Sequence, residues 1–284
     1  MLHFKVYLIS KRDGIIITMT DKNITYIDEF HAIISGKYGN FCVNIKDFYL
    51  GKAIFEYGEY SEIEIAYLKQ FLKSGDHFID VGSHAGYIAI PLAQHVGKNG
   101  KGYAFEPQHY LFKMLEKNIA LNAIKNLTAF NHGLSDRTSF ANKSETENFA
   151  EHESYNLGGI AFNERHLKHQ HADDVSFIIL DSLAIKDPIR LIKIDVEGME
   201  LEVLKGAVDL IKRDKPILYL EWFDKTALYA YESFLEKLGY TYICAHYPEL
   251  FNPDNYFKNS ENIYGSKQSR NVLFMHQDEQ FIFA

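Results

Sequence analysis

The chain has 284 residues, of which 46% are hydrophobic, with 19 Tyr and 21 Phe against only 6 Pro. That composition supplies one sizeable core and excludes a disordered or low-complexity chain. Acidic residues outnumber basic ones 38 to 30, for a formal net charge of −8, a poor platform for phosphate backbones, so nucleic acid is not an expected partner.

Residues 1–56 read as a β-rich N-terminal extension. KVYLIS, GIIITMT and ITYIDEF are β-branched and aromatic, and are separated by turn formers at Asp13-Gly14 and Asp21-Lys22-Asn23. The start of the chain has no basic region ahead of an apolar stretch. No apolar run is long enough to span a bilayer, so the expectation is a cytoplasmic protein without a membrane span. The main domain is expected over 57–284. Ser61 and Glu64 have the spacing of a capping box. Ile65, Leu68 and Leu72 then share a helical face, and Gly75 is placed as that helix's end.

From HFIDVG onward strands and helices alternate. Tyr87–Val96 reads as helix, Gly102–Phe105 as strand, Leu111, Leu115 and Ile119 as a helical stripe, and Leu127–Asn131 as strand. LIKID follows as a strand, Leu201, Leu204, Val208 and Ile211 as one helical face, and PILYLE as a strand. Leu228, Tyr231, Leu235 and Leu238 then form a helix capped by Gly239, before the closing strands TYICAH and NVLFMH. Such alternation predicts an α/β fold, a mostly parallel Rossmann-like sheet with an antiparallel edge pair. An insertion is expected at about 137–175, where His166, His169 and His171 read as a solvated loop rather than a metal site. Cys42 and Cys244 lack metal-ligand spacing and are expected as free buried thiols.

The chemistry starts at Asp80-Val81-Gly82-Ser83-His84-Ala85-Gly86, where a strand runs into a glycine turn and a helix. In open α/β sheets ligands sit beyond the carboxyl ends of the strands, and bare glycine backbone permits close approach. The spacing is G-x-x-x-G, not the G-x-G-x-x-G that cradles a pyrophosphate. S-adenosylmethionine carries a sulfonium and an amino-acid group instead, which suit an acid such as Asp80. Glu106, ending the next strand before Pro107, can accept both hydroxyls of a ribose. Ser135 and Asp136 follow the third strand, and Asp136 is either an acceptor for an adenine amino group or a turn former. Asp195 and Glu197, in LIKIDVEG, and Glu221, ending PILYLE, reach the same sheet end. There a carboxylate can serve as base on a hydroxyl, or help hold a hard cation. Alternatively, Asp195 caps its strand and Glu197 pairs with Lys193 or Lys205.

FIDVGSHAGYIAI, AFEPQHYLFKMLEKNIALN, GLSD, LIKIDVEGMELEVLKGA and PILYLEW, in this order and spacing over about 57–222, resemble the FkbM family of class I methyltransferases. KIDVEG is the most specific block. Tyr57-Gly58-Glu59-Tyr60 resembles the family's lead-in, which brings Tyr57 and Glu59 into the candidate cofactor set with Asp80, Gly82, Ser83, His84, Gly86, Tyr87, Glu106, Pro107, Ser135, Asp136 and Asp195. Phe251–Phe257 also resembles some relatives. The resemblance implies S-adenosylmethionine as methyl donor and a hydroxyl as acceptor, on a glycan, sugar or natural product, with Asp195, Glu197 and Glu221 as catalytic candidates and no metal assigned. The family's turn reads D-V-G-A-N-x-G, whereas this chain has Ser83-His84. Two rival readings are an NAD-dependent oxidoreductase on a related fold and a module that binds S-adenosylmethionine without turnover.

Overall fold

The computed structural model describes residues 18–19, 24–141 and 175–279. KVYLIS, most of GIIITMT and residues 142–174, including His166, His169 and His171, lie outside the described residues.

Four short strands open the described chain as an antiparallel sheet: β1 (Thr18–Met19), β2 (Ile24–Tyr26), β3 (His31–Gly36) and β4 (Gly39–Asn44). The segment expected to be all strand then ends in a helix, α1 (Leu50–Tyr57). Gly51 explains part of this. It sits so close to the Asn44 carbonyl that a Cβ would lie 2.1 Å from it, and the Asp47 carboxylate accepts from its amide.

The main sheet has seven strands in the order β13-β14-β12-β11-β5-β6-β7. These are β5 (His77–Val81), β6 (Lys101–Phe105), β7 (Leu127–Phe130), β11 (Ile189–Ile194), β12 (Ile217–Glu221), β13 (Tyr240–His246) and β14 (Asn271–His276). The first five are parallel neighbours, and β14 runs antiparallel to both β12 and β13. Side chains alternate between two cores. Phe78, Leu191 and Tyr219 face α2 (Glu62–Lys69), α3 (Ala89–Val96), α4 (His109–Leu121) and the N-terminal sheet. Ile79, Ile192 and Leu218 face α5 (Glu200–Lys205), α6 (Val208–Asp214) and α7 (Lys225–Glu236). A small third sheet joins β8 (Gly133–Leu134), β10 (Val175–Ile178) and β9 (Ser139–Ala141), in that order.

Several local expectations are corrected. α2 ends at Lys69 rather than near Gly75, and i→i−3 backbone bonds carry the chain on to Leu72. Ser61 does not cap a backbone amide. It adopts φ 49°, and its hydroxyl donates to the Glu64 carboxylate at 2.6 Å. The stripe Leu201–Ile211 is two helices, broken where a Cβ on Gly206 would meet the Ser135 carbonyl at 2.1 Å. Cys42 is buried as expected, but Cys244 is exposed on the edge strand.

Candidate functional site

β5 leads out of the sheet towards β6 on one side, while β11 lies on its other side. The order in which strands are added therefore reverses between the parallel neighbours β5 and β11, which is where an open α/β sheet leaves a crevice. The turn after β5 and the turn after β11 meet there. The Asp195 amide donates to the Val81 carbonyl at 3.0 Å, and the Asp195 carbonyl occupies the place a Cβ of Gly82 would take, 1.8 Å away. With φ 82°, Gly82 is required twice over, by its conformation and by this contact. The glycine thus serves the packing of one turn on the next as well as leaving bare backbone beside the cleft.

A cleft of about 660 Å³ opens above this junction. Gly82, His84, Glu106, Pro107, Asp195, Glu197 and Glu221 all line it. Glu106 is 4% exposed. Its Oε2 accepts from the His84 amide at 2.9 Å and its Oε1 from the Gln108 amide at 2.8 Å. Each oxygen keeps a lone pair, which is the acceptor set that the two hydroxyls of a ribose diol need. Burial pushes the Glu106 carboxyl up to about 8, against the pull of the two amides. His84 is 6% exposed, adopts φ 50°, and has no hydrogen bond on either ring nitrogen; its Nε2 lies 3.8 Å from the Asp47 carboxylate.

The other cofactor candidates do not line the cleft. Asp80 is buried beneath it, and its carboxyl is pushed up by burial while Lys193, 3.7 Å away, opposes this. The Ser83 hydroxyl donates to the Asp80 carbonyl, and the Tyr87 hydroxyl faces the Cys42 carbonyl. Gly86, at φ 85°, packs on Leu115. Tyr57 bonds to the Glu261 carbonyl and the Ile263 amide, while Glu59 accepts from the Asn252 side chain and the Tyr256 amide. Tyr57 and Glu59 therefore fasten the 252–264 segment rather than reaching inward. Ser135 is buried and Asp136 pairs with Arg137 at the surface.

The inner wall is a carboxylate cluster built around one buried cation. Lys193 is 3% exposed; its ammonium lies 3.1 Å from Asp195 Oδ2 and 3.7 Å from Asp80 Oδ1. It sits directly opposite Asp80 in the β5–β11 register. The alternative pairing of Glu197 with Lys193 or Lys205 is not made, since Lys193 pairs with Asp195 and Asp80 and Lys205 with Glu202. Among the described residues Glu197 has no hydrogen bond or ion pair, and it adopts φ 55°. Burial, then Asp195, then Glu200, push its carboxyl up to about 7. Glu221 is pushed far up by burial and by the nearby Asp195 carboxylate, which favours its protonated form. Asp195, Glu197 and Glu221 can bring one oxygen each within 4.8 Å of one another, a spacing also able to hold a hard cation. Glu64, pushed up to about 7 by burial, completes this wall.

Sequence reasoning passed over Lys193, Glu64 and the 266–271 segment that forms the outer wall. Lys193 did carry a signal: a lysine inside the apolar strand LIKID must find carboxylates once that strand is covered on both faces. The outer wall carried none, because it is loop.

The sequence profile of the methyltransferase FkbM domain matches residues 80–242, more than half of the chain. No curated protein matches. Among solved structures, the chain is similar to a methyltransferase FkbM from Methylobacillus flagellatus KT, at 19% identity and a TM-score of 0.48, covering 72% of this chain and 44% of that one. The chain therefore spans less than half the length of that relative. It is also similar to a protein from Pyrococcus horikoshii, PH0793, named for a transferase, at 13% identity and a TM-score of 0.50, covering 88% and 73%. A third is an S-adenosylmethionine-dependent O-methyltransferase from Thermotoga maritima, at 12% identity and a TM-score of 0.45, covering 97% and 93%.

Proposed function

The chain belongs to the FkbM methyltransferase family, and we propose that it transfers the methyl group of S-adenosylmethionine to a hydroxyl of a sugar, glycan or natural product, with the cleft at the β5–β11 junction as its active site. Family and fold imply the methyl donor. The cleft fits it in charge. Five carboxylates, those of Glu64, Glu106, Asp195, Glu197 and Glu221, face the space, and no amide cradle of the G-x-G-x-x-G type is present for a diphosphate. The observation that carries the reading is Glu106, a buried carboxylate at the end of the second parallel strand, fixed by two amides and with a lone pair left on each oxygen.

The donor supplies an activated methyl on a sulfonium, so the chain's residues have to bind, align and remove one proton. Alignment of an acceptor oxygen about 3 Å from the methyl carbon accounts for much of the rate. Glu197 is the residue we assign as base. Its carboxyl is pushed up to about 7, close to the working pH, and it has no competing partner among the described residues. Asp195, held by Lys193, orients the hydroxyl. With S-adenosylmethionine bound, which would supply the electrophilic methyl, Glu197 would take the proton of the acceptor hydroxyl.

The test is transfer of labelled methyl from S-adenosylmethionine to a panel of sugars, glycolipids and phenols. Glu197→Gln should lower kcat at least about 100-fold, within the usual range for general-base removal, and leave cofactor affinity within about twofold. A variant that retains full kcat would remove Glu197 from the role.

A further inference from the structure

The charge along the cleft is ordered. Its inner wall is acidic, whereas the cations lining its outer wall are Lys267 and Arg270, both exposed. Arg270 stands apart from the other described arginines. Arg137, Arg190 and Arg213 each have a carboxylate partner within 4 Å, and Arg270 has none among the described residues. Its guanidinium is instead tethered through one N–H to the Phe223 carbonyl at 3.2 Å, which leaves most of the fork of donors free. Lys267 likewise has no carboxylate partner among the described residues. Its ammonium donates to the Tyr49 hydroxyl at 2.7 Å and lies 4.7 Å from that ring's centre. Aromatic rings line the same cleft: Phe223 and Tyr247 are 44% and 47% exposed, and Trp222 meets Tyr247 edge-on at 6.3 Å.

In a chain with an acidic excess, an arginine without a carboxylate at the mouth of a carboxylate-lined cleft leaves a charged fork unmatched. Resting on the methyltransferase reading above, we infer that the acceptor is an anionic glycoside: a sugar ring that packs on Trp222, Phe223 and Tyr247, with a carboxylate or phosphate on the side away from the reacting hydroxyl, held by Arg270 and Lys267. The opposite placement is repelled, because an acid group next to the reacting hydroxyl would face Asp195, Glu197 and Glu221. A neutral sugar leaves both cations to water and forfeits a bidentate, charge-assisted contact. Two cations are too few to bind a polyanion along its length, so the match is to a single acid group.

The experiment uses a matched pair, 4-nitrophenyl β-glucoside and 4-nitrophenyl β-glucuronide, with glucose 6-phosphate beside glucose to separate phosphate from carboxylate. Binding to the full chain is measured by calorimetry, with and without S-adenosylhomocysteine. The acid of at least one pair should bind about tenfold more tightly than its neutral partner, corresponding to one charge-assisted contact. That preference should shrink with added salt, and should fall to near unity in an Arg270→Ala/Lys267→Ala variant whose S-adenosylhomocysteine affinity and melting temperature are unchanged. Equal affinity within both pairs, or a preference that survives the double substitution, overturns the inference. Failure of the methyltransferase reading looks different: S-adenosylhomocysteine would not bind, yet the acid preference could still be scored on the chain alone.

Discussion

Lys193 sets the electrostatics of the inner wall, and it does so from inside a strand. An ammonium taken out of water is costly, and here it is stable because Asp195, Asp80 and Glu64 all raise its proton affinity against the effect of burial. Removing it leaves Asp80, 1% exposed, with no hydrogen-bond partner and no countercharge. Lys193→Met should therefore lower unfolding stability by about 3–5 kcal/mol, the usual cost of breaking a buried pair from one side. Adding Asp80→Asn to it should recover part of that loss. Urea denaturation of the two variants checks this, and a double variant no more stable than the single one would argue against the pairing. Glu106 makes a different kind of prediction, because its oxygens keep free lone pairs towards the cleft. Glu106→Ala should weaken S-adenosylmethionine binding by 1.5–3 kcal/mol, roughly 10- to 100-fold, through lost charge-assisted hydrogen bonds. Near-normal calorimetric affinity would refute the ribose assignment. Both residues were visible in the sequence, but in different ways. Glu106 was legible as an acid ending a strand. Lys193 was legible only as an anomaly, since its partners lie on neighbouring elements.

At the scale of elements, the strand ends carry the site, and they were the most readable part of the sequence. Short apolar runs such as HFIDV and LIKI form parallel strands because both faces are covered. The residue that follows each one is therefore delivered to one edge. The junction between the turns after β5 and β11 is the tightest point, and Gly82 tests it. Gly82→Ala would place a methyl 1.8 Å from the Asp195 carbonyl at a residue held at φ 82°. It should destabilise the chain by more than about 3 kcal/mol, combining overpacking with a left-handed penalty. Gly75→Ala serves as the control. It carries only the φ cost, since nothing lies within 4 Å of its missing Cβ. Comparable losses in the two variants would mean the contact with Asp195 yields easily. The element boundaries that sequence patterns missed depend on specific contacts. The break at Gly206 is set by Ser135, far along the chain, whereas α1 and the reversed Ser61–Glu64 bond turn on close local contacts, Gly51 on Asn44 and Asp47 and the Ser61 hydroxyl on Glu64, whose geometry spacing rules do not fix.

For the molecule as a whole, the carboxylate wall predicts how stability responds to pH. Glu106 is held at about 8, and Glu64 and Glu197 at about 7, all from an ordinary value near 4.5 and in each case chiefly by burial. A carboxyl whose folded value lies above its unfolded value favours folding fully at pH below the unfolded value. The advantage is lost as pH rises through the folded one, because the unfolded chain releases its proton first. Buried histidines act in the opposite direction. His84, His132 and His246 are all pushed down by burial, so the unfolded chain holds the extra proton, and their effect ends by about pH 7. The window from about pH 7 to 9 therefore reports on the wall, with Glu221, pushed furthest up by burial and by Asp195, and Glu106 as its main contributors, each proton difference worth at most about 1.4 kcal/mol per pH unit. Calorimetric melting should show stability falling across that window in the ligand-free chain, and Glu106→Gln should flatten the fall. S-adenosylmethionine should flatten it as well, because a bound cation and two ribose hydroxyls favour the ionised wall. The neutral thioether S-adenosylhomocysteine should do so less. A profile that rises from pH 7 to 9 would mean that the inner wall is already ionised in the folded chain, and one that Glu106→Gln leaves unchanged would mean that Glu106 is.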